Sequence, residues 1–261
     1  FRAHQMRSLR LCLSVRSVFV ACRHASSTVA KRRSPNPSVK VNLDVDPFTN
    51  GTVKPKITAT TMQPFEATES WPMPRDSTWE ALRLPPNMIA HLQGMGYQAP
   101  TDIQINAIPG LLRGHSAVCA AATGTGKTLA YLLPLLERLR QSTADAKQGT
   151  RTPKAPRLLV LAPSQLLAAQ IGDVTRAIAV PYGLGACAAV RGVPKRVLYS
   201  RLNTEVFDVV VTTPDSLLAL FRERRIGLRE VRYIVIDEAD TMLEARALRM
   251  LDRVLEHCRR Q

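Results

Sequence analysis

The chain has 261 residues, 45% of them hydrophobic, and a formal charge of +15 from 36 Lys and Arg against 21 Asp and Glu. That length and composition suit a globular protein with one good core and exclude a chain too polar to bury one. No stretch is apolar for long enough to cross a bilayer as a helix, and residues 1–43 hold nine of the cations and no acid, which leaves +6 for the remainder. The basic excess therefore belongs to a tail, and bulk charge alone does not mark the rest as a nucleic-acid binder.

In that tail Arg2, Arg7, Arg10, Arg16 and Arg23 are spaced among Leu, Val, Ser and Ala without an acidic residue. Residues 1–30 resemble a mitochondrial presequence, because a secretory signal needs a longer apolar run than residues 18–22. A basic arm that touches RNA or the ribosome, in nucleus or cytoplasm, is the alternative. Cys12, Cys22, Cys119, Cys187 and Cys258 form no C-x-x-C pair and complete no ligand pattern with the histidines, so a reducing compartment and no structural zinc are expected. The chain opens on Phe1, with its first methionine at Met6, and closes at Gln261 inside a helix-like run, from which an incomplete gene product is expected.

Residues 31–78 carry seven of the 18 prolines together with much Ser, Thr and Asn. Such a stretch buries too little apolar surface to offset its ordering entropy and reads as a disordered linker. From Trp79 onward short β-branched runs alternate with segments of helical period, the pattern of an α/β domain with a parallel sheet flanked by helices. Strands are predicted at 117–121, 157–162, 186–190, 207–212 and 233–236. A helix is predicted at 129–140, and the polar stretch 141–156, with Gly149, Pro153 and Pro156, reads as a surface loop.

Three stretches of this domain carry chemistry. The first runs from Gly96 through Tyr97, Pro100 and Thr101 to Gln104, with the aromatic Trp79 upstream. A glutamine amide accepts from the N6 amino group of adenine and donates to N7, so Gln104 can select an adenine nucleotide. Pro-Thr ahead of a helix is equally an ordinary N-terminal cap.

The second is Ala121-Ala122-Thr123-Gly124-Thr125-Gly126-Lys127-Thr128, between a predicted strand and a predicted helix. Gly124 and Gly126 let the backbone aim its N–H groups at one point, where the positive end of the helix dipole also lies. Lys127 then reaches the β- and γ-phosphates of ATP, and Thr128 offers its hydroxyl to Mg2+. The strict pattern has glycine where Ala121 stands.

The third is the apolar run 231–236 ending in Asp237-Glu238-Ala239-Asp240. Ligands of open α/β sheets sit at the carboxyl ends of the strands. Asp237 is thereby placed to hold Mg2+ through its water shell, and Glu238 to orient or deprotonate an attacking water. An acidic helix start favoured by the dipole is the plain alternative.

Together these stretches closely resemble the DEAD-box RNA helicase family, over residues 79–261. Gly96 to Gln104 resembles its Q motif, Ala121 to Thr128 its motif I, and Asp237 to Asp240 its motif II. The resemblance implies a RecA-like domain, ATP with Mg2+, and nucleotide contacts from Trp79, Tyr97, Thr101, Gln104 and residues 121–128. Lys127, Asp237 and Glu238 are the implied catalytic residues, with Thr128 and Asp237 on the metal.

The family grips the RNA backbone with a Pro-Thr-Arg-Glu-Leu-Ala motif, a Gly-Gly pair and a Thr-Pro-Gly-Arg motif. Here those positions read Pro163-Ser164-Gln165-Leu166-Leu167-Ala168, Arg191-Gly192 and Thr213-Pro214-Asp215-Ser216. Ser164 and Thr213 keep a hydroxyl for phosphate and Arg191 adds a charge. Gln165, Leu166, Asp215 and Ser216 depart from the pattern, and Asp215 repels a phosphate at the place where it also suits the second position of a helix. The resemblance further implies a second RecA-like domain that supplies arginines to the γ-phosphate, absent before Gln261. The expected function is an ATP-dependent RNA helicase acting on structured or ribosomal RNA, with no membrane partner. A non-catalytic RNA-protein scaffold, for example in mitochondrial ribosome assembly, is the alternative, and a DNA-dependent helicase a minor third.

Overall fold

A computed structural model of the chain describes residues 18–24, 78–145, 151–242 and 253. The linker at 31–77, most of the tail and the helix-like run after Met242 lie outside the described residues. Among the described residues six parallel strands form one sheet in the order β2-β1-β6-β3-β5-β4, with β1 at Val18–His24, β2 at Ala117–Ala121, β3 at Leu158–Leu161, β4 at Ala186–Ala189, β5 at Val209–Thr212 and β6 at Tyr233–Ile236. The helices are α1 (Pro86–Gly94), α2 (Asp102–Leu112), α3 (Lys127–Asp145), α4 (Gln165–Ala179), α5 (Lys195–Thr204), α6 (Pro214–Arg222) and α7 (Ala239–Met242).

The central strands are apolar on both faces because both faces are covered. Leu158, Val160, Val209, Val211, Tyr233 and Val235 pack with α1 to α4. Their alternates Leu159, Leu161, Val210, Ile234 and Ile236 pack with α5, α6 and α7. Five of the six strands fall on the runs predicted from sequence, to within two residues at either end.

Two elements differ from the sequence reading. Helix α3 runs on through Gln141–Asp145, predicted as loop, because its polar side chains bond within the helix instead of competing with it. The hydroxyls of Ser142 and Thr143 donate to Leu139 O at 2.9 and 2.8 Å, and the Gln141 amide donates to Glu137 at 2.8 Å. The second difference is β1, a strand inside the arginine-spaced tail. It pairs with β2 from Val20 opposite Ala117 to His24 opposite Ala121, and with β6 from Val18 opposite Tyr233 to Ala21 opposite Ile236. At seven residues it is longer than any of the predicted strands, but it includes Arg23 and lies in an arginine-spaced, acid-free stretch, so the leader-like pattern masked it.

At the amino rim of the sheet a buried ion pair fixes where α3 ends. Asp208, 1% exposed, accepts from Arg157 Nε and Nη2 at 3.0 and 2.7 Å, from Arg151 Nη1 at 2.9 Å and from the Gly185 N–H at 2.9 Å. Arg157 Nη1 in turn donates to Leu139 O at 3.1 Å and Thr143 Oγ1 at 2.8 Å, tying the last turns of α3 to β3. Truncating one member strands a buried charge, so Asp208→Ala is expected to lower unfolding free energy by about 3–5 kcal/mol in urea titration. A loss below ~1 kcal/mol would show that Arg157 reaches water without its partner.

Candidate functional site

The glycine-rich stretch leaves β2 at Ala121 and enters α3 at Lys127, as a phosphate-binding turn does. Gly124 and Gly126 have φ of +77° and +89°. A β-carbon on Gly126 would stand 2.4 Å from Gln104 Nε2, so that position needs glycine for its dihedral and for the closeness of a neighbour. Ala122, Thr123 and Gly124 are exposed, and Thr125, Gly126, Lys127 and Thr128 are half-buried. The Lys127 ammonium donates to the carbonyls of Ala121 and Ala122 at 2.7 Å each, and the Thr125 hydroxyl donates to Ala122 O at 2.8 Å. A phosphate oxygen is a stronger acceptor for that ammonium than a neutral carbonyl.

Gln104 and Thr101 brace the loop from the side of α2. Gln104 Nε2 donates to Gly126 O at 3.1 Å, Gln104 Oε1 accepts the Thr101 N–H at 2.9 Å, and the Thr101 hydroxyl donates to Thr125 O at 2.8 Å. One N–H and one lone pair of the Gln104 amide are thus engaged by protein, and the residue is 2% exposed. Trp79 is 1% exposed and belongs to the core cluster, with its indole N–H donating to Tyr97 O at 2.9 Å. Tyr97 itself is 39% exposed.

Asp237 ends β6 with its carboxylate buried. Oδ2 accepts the Tyr131 hydroxyl at 2.9 Å and Oδ1 accepts the Glu238 N–H at 2.9 Å. Burial pushes the Asp237 carboxyl above its ordinary range, and the Tyr131 bond, the Glu238 N–H and the charge of Lys127 pull it only partly back. Glu238 is half-buried at φ +46°, a left-handed conformation unusual for a side chain of this size.

These details bring the two predicted halves together. Ala121 and Ile236 end parallel strands separated only by β1, roughly 10 Å at ordinary strand spacing. Tyr131 lies one helical turn beyond Lys127, so the helix that starts at the phosphate loop holds the acidic strand directly. Sequence reasoning missed Tyr131, although it is the one polar group in the apolar run 129–136 and stands four residues from Lys127, on the same helix face. Among the described residues no group of three or more His, Cys, Asp or Glu could hold a metal ion. One carboxylate and one hydroxyl suit magnesium, which keeps water and takes substrate phosphates as its other ligands.

The other three strands carry the remaining predicted segments to the same carboxyl rim. Pro163 to Gln165 follow β3, Thr213 and Pro214 follow β5, and Arg191 and Gly192 follow β4. Ser164 is exposed and caps α4, its Oγ accepting the Leu167 N–H at 3.2 Å. Arg191 and Gly192 are exposed, the latter at φ +104°. Thr213 is 5% exposed and its hydroxyl donates to Ser216 Oγ at 3.1 Å, while Pro214 is buried as the first residue of α6. Asp215 is exposed in the second position of that helix.

Residues 101–261 match the DEAD/DEAH box helicase family. Over 183 residues the chain is 40% identical to a Homo sapiens protein named probable ATP-dependent RNA helicase DDX28, covering 67% of this chain and 32% of that protein. Among solved structures it is similar to the RNA helicase Prp28 from Chaetomium thermophilum bound to ADP, with TM-score 0.62 and 30% identity over 72% of this chain and 44% of that one. It is also similar to a DEAD box protein from Methanococcus jannaschii, with TM-score 0.57 and 26% identity over 69% of this chain and 47% of that one. The chain spans about a third of the length of the curated relatives it matches.

Tyr131→Phe removes one partner of the buried carboxylate and is expected to lower stability by about 1–3 kcal/mol at neutral pH. The folded pKa of Asp237 already lies above its unfolded value, so this group favours folding at low pH and loses that contribution as pH rises through the folded pKa. The variant raises that pKa further, and its deficit against wild type should grow with rising pH and shrink in acid. Urea titrations across that range, in magnesium-free buffer, check the sign; a deficit independent of pH would contradict it.

Proposed function

Because the chain belongs to the DEAD/DEAH box helicase family, we propose that it is the nucleotide-binding domain of an ATP-dependent RNA helicase, an ATP hydrolase that couples turnover to RNA remodelling. The observation that carries this reading is the 2.9 Å bond from Tyr131 on the phosphate-loop helix to Asp237 on the acidic strand. It supports the reading by tying the helix after the glycine-rich turn to the strand that ends in Asp237 and Glu238, in keeping with the arrangement phosphoryl transfer to water needs.

The backbone N–H groups of the loop 122–126 cradle the β- and γ-phosphates, and Lys127 leaves its two carbonyls to bond them. Gln104 keeps one N–H and one lone pair for the adenine edge, with Tyr97 and Thr101 beside it. Thr128 and Asp237 would hold Mg2+, which neutralises charge building on the phosphates when bound. Glu238 orients the attacking water and accepts its proton. The ADP bound to the similar RNA helicase Prp28 supports the nucleotide class.

RNA lies along the other half of the rim, with Ser164 donating to a phosphate and Arg191 and Gly192 accommodating the next. A second RecA-like domain closes on this one over RNA and brings arginines to the γ-phosphate. Without those arginines this domain would bind ATP and turn it over slowly, since related NTPases lose ~10³–10⁵ in rate without that group. The acid-free tail supports delivery to mitochondria rather than nucleus or cytoplasm. With Val18–His24 built into the sheet, that delivery proceeds by cleavage before Val18 or with the signal retained.

Glu238→Gln in the protein carrying both domains should bind ATP within about twofold of wild type and lose RNA-stimulated hydrolysis by at least ~10². Hydrolysis that survives the substitution would remove Glu238 from the reaction. Wild-type protein that shows no hydrolysis to lose would favour a non-catalytic scaffold instead.

A further inference from the structure

The sequence sets Gln165 among residues that touch RNA, in a motif where its amide is a departure. In the structure both amide N–H groups and one lone pair of the oxygen are used on protein. Nε2 donates to Thr213 Oγ1 at 2.8 Å and to Ser216 Oγ at 3.0 Å, and Oε1 accepts the backbone N–H of Arg191 at 2.8 Å. From these bonds we infer that Gln165 is a positioning residue: it fastens the three loops of the RNA half of the rim into one surface and fixes where Arg191 presents its charge. The inference rests on the RNA reading given above.

The sheet order shows why one side chain suffices. The loops leave β3, β5 and β4, which are neighbours in that order. Gln165, at the start of the helix after β3, crosses the loop of β5 to reach the loop of β4. Two strand spacings come to roughly 10 Å, whereas a glutamine side chain with a hydrogen bond at its end reaches roughly 8 Å, so the bond to Arg191 N also requires the loops to lean together beyond the strand ends.

Local helix capping does not account for the amide. Ser164 already caps α4 through the Leu167 N–H, and Thr213 already offers its oxygen to the Ser216 N–H at 3.4 Å. Gln165 is half-buried, so holding its side chain in one rotamer sacrifices conformational entropy that bonds to three partners offset. Those partners are 48, 51 and 26 residues away in the chain, which makes the interaction tertiary. What it anchors is the backbone beneath an exposed cation: Arg191 precedes Gly192 in a left-handed turn, and exposed Lys195 and Arg196 follow in the same stretch. A lysine or arginine on a free loop adds little to phosphate binding beyond its screened charge, whereas a fixed one adds a directed, charge-assisted bond.

The test is a double-mutant cycle on the 261-residue chain, read by anisotropy of a labelled oligouridylate across a salt series. Gln165→Leu keeps the volume and removes all three bonds; it should weaken RNA binding roughly tenfold. The slope of log affinity against log salt should become shallower by about 0.7 for each phosphate that is no longer neutralised. Affinity for a fluorescent ATP analogue should stay within twofold, which shows that the variant is folded. Arg191→Ala should weaken binding several-fold on its own, yet add little in the Gln165→Leu background, because both changes remove the same bond to RNA. Additive effects, or an unmoved Gln165→Leu affinity with normal wild-type binding, would overturn this proposal alone. Absence of RNA binding by the wild type would overturn it together with the RNA reading. Should Gln165→Leu lose nucleotide binding as well, Gln165→Met serves as the second variant under the same criteria.

Discussion

Tyr131 and Asp237 stand 106 residues apart in sequence and 2.9 Å apart in space. A carboxylate this deeply buried is costly unless its oxygens are bonded, and here one bond comes from the helix that begins at the phosphate loop and the other from the backbone of Glu238. That requirement couples the two chemical halves of the site. The strand that ends in acids cannot slide or tilt without stranding its own charge, and the helix cannot shift without leaving the charge unpaired. The all-parallel sheet makes the meeting possible, because every strand delivers its carboxyl end to one rim.

The same rim divides along the sheet. Strands β2 and β6, with β1 between them, end in the segments proposed for nucleotide, and β3, β5 and β4 in the segments proposed for RNA. The halves touch where β6 meets β3, and there the Asp237 N–H donates to Leu161 O at 2.9 Å, two residues before Pro163. A change at the Asp237 carboxylate therefore has a short covalent and hydrogen-bonded path to the loop that carries Ser164 and Gln165. Each half also has its own fastener. Gln104 holds the phosphate loop to α2, as Gln165 holds the three loops of the other half together.

Much of this was legible in the sequence, for identifiable reasons. Strands buried on both faces are short apolar β-branched runs, so β2 to β6 stood out, and so did the glycine-rich turn between β2 and α3 and the acidic end of β6, because glycine, lysine and acid types at those spacings are distinctive. Burial and side-chain direction were not readable. Trp79 has the same one-letter signature whether it stacks on a ligand or plugs a core, and Gln104 the same whether its amide faces adenine or a loop carbonyl. Helix α3 outran its predicted end because Ser142 and Thr143, which often leave helices, here bond back to Leu139 O. Strand β1 was hidden among arginines, where the leader-like pattern dominated.

The central claim is that phosphates on the Lys127 loop and a magnesium ion at Asp237 share one pocket. A crystal structure with a non-hydrolysable ATP analogue and Mg2+ tests it most directly. The account predicts Lys127 swung from the Ala121 and Ala122 carbonyls onto the β- and γ-phosphates, with one metal peak between Thr128 Oγ1, the phosphates and the water shell of Asp237, and Tyr131 still bonded to that carboxylate. Phosphates bound elsewhere, or a metal coordinated away from Asp237 while Lys127 stays on its carbonyls, would contradict it.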